Sequence, residues 1–377
     1  MIYLDNGATT PPHPEVLDAF VKVNQTFWGN PNSLHLFGAR AEQLLLQSER
    51  QILALLNANH HKVIFTSGAT ESNNLAIRGV CAAYQSRGRH IITTPVEHDA
   101  GHAVFEELEK EGYQMTYIDI KGTQAQIVKE VEAALRDDTI LVSCMHVNNE
   151  TGQIFPIAEI GQLINKHPKI KFHVDAVQSV GKIPVDMEQL KIDLLSLSAH
   201  KIHGLKGSGA LIIDEHLELK PQITGGNQMY GIRSGTVNVA GAVALAKTLR
   251  LAIEPLAENY QKVKALFDYT LEHLQKLPGI VINSYQEARS PYIINFAAVP
   301  IKGETLVHAL EEHNIYISAK SACSSKTATA SRILLAMGIS EALALESVRM
   351  SFSHLNTIAE IDQFVIALET VTKHLKY

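Results

Sequence analysis

The chain has 377 residues and a mass of 41.4 kDa, with 46% hydrophobic and 19% charged residues and a net charge of −6. A chain of this length buries enough apolar surface to fold without disulfides or a structural metal, and it lacks the basic excess of a large nucleic-acid-binding surface. Its cysteines, Cys81, Cys144 and Cys323, are too few for a disulfide framework. The start MIYLDNGATT does not match a secretory signal, and no apolar run reaches the ~20 residues of a membrane span. We therefore expect a cytoplasmic protein without a membrane association.

Short apolar runs alternate with amphipathic helical patterns between about residues 60 and 215. Strands are expected at 63–67, 90–94, 115–120, 140–146, 170–175, 194–198 and 210–213, with helical patterns at 104–111, 126–135 and 157–165. This alternation predicts an α/β fold with a mostly parallel sheet, and the continuous apolarity of several strands indicates that both faces are covered.

The pattern changes in the C-terminal part of the chain. A helical stretch from 238 to about 276 is interrupted near Pro255, and strand-like runs follow at 280–283, 293–297, 315–318 and 348–352. Helical patterns cover 304–313 and 359–374. We expect a large domain over residues 1–255 and a smaller α+β domain over 256–377, with which the first ~15 residues could also pack.

Polar residues that follow the expected strands are the candidates for a site, because ligands of doubly wound sheets bind beyond the carboxyl ends of the strands. After 63–67 comes Gly68-Ala69-Thr70-Glu71-Ser72, which leads into a helix. Backbone N–H groups and the positive end of a helix favour phosphate at such a turn. An ordinary capped turn is the alternative, and no P-loop lysine follows.

Two ionisable residues follow neighbouring strands. Asp175 closes the strand at 170–175, and Lys201 comes after the strand at 194–198. A buried carboxylate needs a hydrogen-bonded or cationic partner and can hold a protonated ring nitrogen. A desolvated lysine can supply the neutral amine of Schiff-base chemistry. The structural alternatives are a capping aspartate and a lysine at the rim of the sheet.

Glu97-His98 and Asn148-Asn149-Glu150 follow two further strands. Alone, either group is more often structural than catalytic. Together, five strand ends offer a phosphate-binding turn, an imidazole, an amide, a carboxylate and a lysine. Pyridoxal 5′-phosphate uses all five, through its phosphate, its ring face, its phenolic oxygen, its pyridinium nitrogen and its aldehyde.

The ordered motifs of the whole chain carry a resemblance to a known family. They are YLDNGATT from Tyr3, GNPNS from Gly29, residues 66–74, 146–152, 173–181 and 198–201, RSGT from Arg233, SAC ending at Cys323, and Arg349. The chain resembles the cysteine desulfurases of the NifS/IscS type in the class V aminotransferase family, which are fold type I pyridoxal-phosphate enzymes. The resemblance implies a large domain with a mostly parallel seven-stranded sheet, a smaller α+β C-terminal domain and a homodimer.

The resemblance also implies a role for each matching residue. Lys201 would bind the cofactor as a Schiff base and move protons at the substrate α-carbon. Asp175 would pair with the pyridinium nitrogen, and His98 would stack on the ring and could act as an acid or base. Gln178 and Asn149 would lie at the phenolic oxygen, and Asn149 could also touch the substrate.

The remaining implied contacts are to the phosphate and the substrate. Arg349 would bind the substrate carboxylate, a bidentate task that suits a guanidinium. The phosphate would be held by Ala69, Thr70, Ser198 and His200, with Thr236 from the partner subunit.

Cys323 decides the reaction that the resemblance implies. It lies in a run of small and polar residues, 320–331, which is typical of a mobile loop. It would be the nucleophile that takes sulfur from L-cysteine, and an inert surface thiol is the alternative. Cys81 and Cys144 match core positions. We expect the Lys320 ammonium to favour the Cys323 thiolate.

The sequence therefore predicts a cysteine desulfurase that forms L-alanine and a Cys323 persulfide. The sulfur would pass to an acceptor protein, either an iron–sulfur cluster scaffold or a tRNA-thiolation enzyme. Another class V enzyme, an aminotransferase or a selenocysteine lyase, is the first alternative. A non-catalytic binding protein on the same fold is the second. No metal site and no direct contact with nucleic acid are expected.

Overall fold

A computed structural model describes residues 1–284, 287–319 and 329–375. They form two compact units. The first unit comprises Met1–Thr10, Val147–Phe155 and Pro255–Tyr377, and the second comprises Pro11–His146 and Pro156–Glu254. The first element of the chain, strand β1 (Ile2–Tyr3), belongs to the first unit. The division into residues 1–255 and 256–377 stays a prediction of the sequence.

The second unit is built on a seven-stranded sheet. Its strands are β2 (His61–Thr66), β3 (His90–Thr93), β4 (Gln114–Tyr117), β5 (Thr139–Met145), β6 (Lys171–Asp175), β7 (Leu194–Ser198) and β8 (Gly209–Asp214). They lie in the order β2-β8-β7-β6-β5-β3-β4, and only β8 runs antiparallel to its neighbours. All residues of β3, β5 and β7 are buried, as both faces of the sheet are covered. The predicted mostly parallel, seven-stranded sheet is confirmed.

One expected strand is shorter in the structure. The apolar run 115–120 predicts six paired residues, but β4 ends at Tyr117. Its single neighbour β3 ends at Thr93, whose carbonyl accepts the last contact, from the Ile118 N–H at 3.0 Å. Ile118 and Ile120 are nevertheless buried, so their apolarity reflects packing beyond the end of the sheet.

Helices cover this sheet and extend from it. They are α1 (Pro14–Thr26), α2 (Leu36–Leu55), α3 (Ala69–Tyr84), α4 (Asp99–Lys110), α5 (Gln124–Ala134), α6 (Ile157–Ile164), α7 (Met187–Leu190) and α8 (Val239–Ile253). Leu75, Ile77 and Val80 of α3 pack in the same core cluster as Ile91 and Leu141 of the sheet. This packing fixes α3 and thereby the position of its N-terminus.

The first unit has its own sheets and core. It contains α9 (Leu256–Lys276), β9 (Ile280–Ile282), β10 (Ile293–Ala298), α10 (Gly303–Glu311), β11 (Ile315–Tyr316), α11 (Arg332–Ala336), α12 (Glu341–Leu345), β12 (Ser347–Ser351) and α13 (Ile358–Leu375). Strands β12-β10-β9 form an antiparallel sheet, and β1 pairs in parallel with β11. The rings of Phe296 and Phe364 pack edge to face in the core, with 6.4 Å between their centroids. Pro255 separates α8 from α9, where the sequence predicts an interruption.

Across residues 1–284, 287–319 and 329–375, none of the helices combines the length and apolar character that crossing a bilayer requires.

Candidate active site

Strands of the seven-stranded sheet end together at one edge. Thr66, the last residue of β2, and Ser198, the last of β7, both pair with Gly209 of β8. Asp175, the last residue of β6, pairs with Ser196, two residues before the end of β7. The loops that follow these strands therefore begin side by side, as the sequence predicts for their polar residues.

The turn between β2 and α3 presents backbone N–H groups. Gly68 precedes the helix with φ +149°, an angle that L side chains rarely adopt, and no side chain caps the helix. The N–H groups of Ala69 and Thr70 are in the first turn, where an α-helix supplies no acceptor. A Cβ on Gly209 would lie 2.6 Å from the Gly68 Cα, so β8 can approach the turn only with glycine at that position. The turn offers donors and a positive helix end to an anion.

An ion pair joins this turn to the loop that carries Thr236. Arg233 Nε donates to Glu71 Oε1 at 2.9 Å, and the Ser67 N–H donates to Glu71 Oε2 at 2.7 Å. Burial raises the pKa of Glu71, but the hydrogen bonds from Arg233 and Ser67 outweigh it and leave that pKa below its usual value. Thr236, Ser67 and Ser208 line one cavity of about 190 Å³. The Glu71–Arg233 pair thus fixes the turn beside the Thr236 loop of the same chain. The resemblance implies that Thr236 binds the phosphate in the partner subunit's site, and this intrachain contact does not test that prediction.

Asp175 is buried and hydrogen-bonded at both oxygens. Asn73 Nδ2, from α3, donates to Oδ2 at 2.7 Å, and the Val177 N–H donates to Oδ1 at 3.0 Å. Both donors are neutral, so they fix the carboxylate without cancelling its charge. The arrangement can hold a protonated heterocyclic nitrogen, as the sequence predicts for Asp175. Asn73 Oδ1 is itself buried and has no hydrogen-bond partner among the described residues.

A buried histidine supports the strand that carries Asp175. His173 Nδ1 lies 2.8 Å from Ser143 Oγ on β5, and Nε2 lies 3.0 Å from Ser196 Oγ on β7. Burial lowers the pKa of His173 to about 4, although the Asp175 carboxylate acts in the opposite direction. The neutral ring therefore crosslinks three strands beside the end of β6.

This histidine and His146, whose pKa burial also lowers to about 4, make stability depend on pH. A lowered pKa means that the unfolded chain takes up protons first, near pH 6.5, so stability is lost as the pH falls from about 6.5 to 4. We expect each ring to contribute up to ~3 kcal/mol of that loss in the free energy of unfolding.

Denaturant titrations over this pH range measure the effect. His173→Asn should flatten the pH dependence, and the exposed His216→Asn should leave it unchanged. An unchanged slope in His173→Asn would contradict the assignment.

Lys201 ends a short 3₁₀ turn, Ala199–Lys201, directly after β7. The Ala199 N–H donates to Ser208 O at 3.0 Å, and a Cβ on Gly204 would lie 2.6 Å from the Ala199 Cβ, so the turn is tightly held. The neighbouring His200 has a pKa lowered to about 4, first by burial and then by the charges of Lys201, Lys206 and Lys182. His200 is therefore neutral, and the lysines around it create a positive potential that favours phosphate.

His98 begins α4 as its N-cap. Its Nδ1 accepts a hydrogen bond from the Ala100 N–H at 3.1 Å, so the proton of the neutral ring is on Nε2. Glu97, the residue before it, is buried and accepts from Thr94 Oγ1 at 2.7 Å and the Met145 N–H at 2.9 Å. These contacts fix both the tautomer and the position of the imidazole.

In the first unit, Arg349 is a buried arginine, 2% exposed. Its Nη2 donates to Asp5 Oδ1 at 2.8 Å and its Nη1 to Asn149 O at 3.0 Å. The Nε of Arg349 and the Oδ1 of Asn149 are buried and have no hydrogen-bond partner among the described residues. A buried guanidinium with an unused N–H suits a carboxylate ligand, as the sequence predicts for Arg349.

Glu150, the residue after Asn149, forms a hydrogen bond with Ser331, which follows the predicted nucleophile in the sequence. Ser331 Oγ donates to Glu150 Oε2 at 2.5 Å, and Ser331 caps α11. Cys323 and Lys320 lie outside the described residues, so their predicted roles stay predictions. Ser331 is thus a fixed point that follows Cys323 by eight residues in the sequence.

Comparison with known proteins decides the family. A family model described as "Aminotransferase class-V" matches residues 2–364. The chain belongs to the class V aminotransferase family.

Within this family the chain is similar to NifS- and IscS-like proteins, which confirms the resemblance. A "NifS/IcsS protein homolog" from Lactobacillus delbrueckii subsp. bulgaricus is 43% identical over 376 residues, which are 99% of this chain and 98% of that one. "Cysteine desulfurase IscS" from Vibrio cholerae is 40% identical over 381 residues, covering 100% and 93%. A solved "NIFS-LIKE PROTEIN" has a TM-score of 0.89 and 33% identity, covering 100% of this chain and 99% of its own.

The donor set of this member of the class V aminotransferase family fits pyridoxal 5′-phosphate, the cofactor that the family uses. The uncapped start of α3 suits a phosphate, and the buried Asp175 carboxylate suits a pyridinium nitrogen. Lys201, predicted to supply the amine, follows the neighbouring strand β7 in the turn Ala199–Lys201. The structure brings together at one sheet edge the predicted residues Ala69, Thr70, Asp175, Ser198 and Lys201, and places Asn149 and Arg349 in the first unit.

The sequence alone does not reveal two partners of these residues, Asn73 and Asp5. Asn73 lies inside the motif 66–74 and Asp5 inside YLDNGATT, yet the sequence points to no particular role for either residue. Asn73 lies just before the apolar positions of α3, and an amide on that side of the helix is a signal for a buried polar role. Nothing local connects Asp5 to Arg349.

Proposed function

We propose that this chain is a pyridoxal-phosphate-dependent cysteine desulfurase that converts L-cysteine to L-alanine and leaves a persulfide on Cys323. The observation that carries the proposal is the set of fixed groups at one sheet edge, Lys201 with Asp175 and the α3 turn, in a chain 40% identical to a cysteine desulfurase. Purified protein supplied with pyridoxal 5′-phosphate and L-cysteine should form alanine. Amino transfer that depends on a keto acid, or turnover of selenocysteine alone, would contradict it.

Each residue has a distinct task in this proposal. Arg349 binds the substrate carboxylate through its guanidinium, and Asn149 contacts the substrate beside it. The Lys201 amine takes the proton from the substrate α-carbon and later returns one. Bound pyridoxal phosphate supplies an electron sink for that carbon.

The other contacts hold the cofactor in place. Asp175 would pair with the pyridinium nitrogen, His98 would lie against the ring, and Gln178 would contact the phenolic oxygen. Ala69, Thr70, Ser198 and His200 would hold the phosphate, with Thr236 of the second subunit of a homodimer.

Sulfur transfer balances without an added oxidant. The Cys323 thiolate attacks the substrate sulfur, so an S–S bond forms and the substrate Cβ–S bond breaks. The electron pair of that bond stays on Cβ and takes up a proton, which gives the methyl group of alanine. L-cysteine and one thiol thus become L-alanine and one persulfide. A cytoplasmic acceptor protein, an iron–sulfur scaffold or a tRNA-thiolation enzyme, then takes the sulfur and restores Cys323.

The Asp5 carboxylate should position Arg349 for the substrate. Asp5→Asn leaves the buried guanidinium without its anion, so we expect the KM for L-cysteine to rise roughly ten-fold, with a smaller change in kcat. Steady-state alanine formation measures both constants. The exposed Asp18→Asn is the matched control and should match the unsubstituted protein. An unchanged KM in Asp5→Asn would contradict this role of Asp5.

A further inference from the structure

A second lysine amine is buried in the unit that contains Lys201. Lys182 is only 5% exposed, and its Nζ donates to Gln178 Oε1 at 2.6 Å. Burying an ammonium is costly unless it is well hydrogen-bonded, and an apolar side chain would fill the same space without that cost. The buried charge therefore calls for a functional explanation.

Consecutive turns after β6 bring the two side chains together. Ala176 O accepts from the Ser179 N–H at 3.1 Å, and Ser179 O accepts from the Lys182 N–H at 2.9 Å. Gly181 has φ +72°, and a Cβ there would lie 2.8 Å from the Ala252 Cβ. The turns are thus fixed by packing. They bring Lys182 back beside Gln178, although the two are four positions apart in the sequence.

The chemistry of the contact determines the orientation of the amide. An ammonium has three donors and no acceptor, so it can bond only to the oxygen of Gln178. The amide nitrogen Nε2 then lies on the side away from Lys182. Gln178 is thereby presented as a hydrogen-bond donor, which is what an ionised phenolic oxygen requires.

The positive charge of Lys182 also acts on His200, one of the residues predicted to bind the cofactor phosphate. The pKa of His200 is lowered by burial and, in addition, by the charges of Lys201, Lys206 and Lys182. At the other end of the same turn, Asp175 provides the opposite charge. The turn therefore presents an anion, an amide and a cation in sequence beside the β6 and β7 strand ends.

We propose that Lys182 is a positioning residue, whose ammonium orients the Gln178 amide so that Nε2 donates to the phenolic oxygen of the bound cofactor. The proposal rests on the proposed function, because it requires pyridoxal phosphate beside Gln178. Lys182 itself acts through Gln178.

The test uses the visible absorption band of the protein loaded with pyridoxal phosphate, followed against pH. Lys182→Met keeps most of the length of the side chain and removes its donors. A donor to the phenolic oxygen stabilises the ionised form, so we expect the midpoint of the band to rise by about one pH unit in this variant. Gln178→Leu should raise it similarly. Lys182→Arg keeps a cationic donor, so its midpoint should stay close to that of the unsubstituted protein.

A double-variant cycle separates the two residues. If Lys182 acts through Gln178, adding Lys182→Met to Gln178→Leu should move the midpoint by no more than about 0.3 unit further. Two outcomes overturn the proposal: an unchanged midpoint in Lys182→Met, or the same shift in both Gln178 backgrounds. Should Lys182→Met not fold, Lys182→Leu, which also has no donor, takes its place in both backgrounds.

The unsubstituted protein distinguishes this inference from the proposed function. Absence of a visible band with pyridoxal phosphate, or absence of alanine formation, would refute the proposed function. A normal band and normal alanine formation, together with a midpoint that Lys182→Met does not move, would refute only the role of Lys182.

Discussion

Lys201→Ala should yield protein that cannot be labelled by borohydride reduction in the presence of pyridoxal phosphate. Reduction traps a cofactor that is joined to a lysine amine, and Lys201 is the lysine at the end of β7 beside Asp175. Loss of the amine also removes the base at the substrate α-carbon. We therefore expect alanine formation to fall by at least about 10³-fold. Peptide mass spectrometry of the reduced protein identifies the labelled residue.

Two lysines near His200 serve as controls. Lys206 is exposed and its charge acts on the same imidazole. It is not the predicted Schiff-base lysine, so Lys206→Ala should keep the label on Lys201. Lys182 is buried, and the label should be absent from its peptide. A label on Lys182 or Lys206 in the unsubstituted protein would refute the role of Lys201 and, with it, the proposed geometry of the site.

The strand ends were predictable because each depends on a local pattern. A buried parallel strand is a short apolar run, and β5 and β7 are fully buried over their whole length. The residue that follows such a run is fixed at the edge of the sheet, whatever the rest of the chain does. The ends of β6 and β7, which carry Asp175 and precede Lys201, could therefore be placed at one edge of the sheet from the sequence, although 26 residues separate Asp175 from Lys201.

Their supporting contacts depend on tertiary packing. Asn73 reaches Asp175 across 102 positions of sequence, and Asp5 reaches Arg349 across 344. Neither pair follows from periodicity, since each joins elements that meet only in the folded chain. The same holds for the antiparallel direction of β8, because an apolar run has no direction.

Cys323→Ser should stop alanine formation while leaving the cofactor site intact. The hydroxyl of serine does not provide the thiolate that attacks the substrate sulfur, so we expect turnover to fall by at least about 10³-fold. L-cysteine should still change the visible band of the loaded variant, because Lys201, Asp175 and Arg349 remain. Alanine, sulfide and the absorption spectrum are measured on the same sample.

The other two thiols cannot replace Cys323. Cys81 lies on α3, where it packs in the hydrophobic core and is 1% exposed, and burial raises its pKa to about 12. Cys144 lies within β5, where burial also raises the pKa of its thiol. Since both stay protonated at neutral pH, Cys81→Ala is the matched control and should keep its turnover. Full activity in Cys323→Ser would require a nucleophile from elsewhere, and these two cysteines offer none, so that result would refute persulfide formation on this chain.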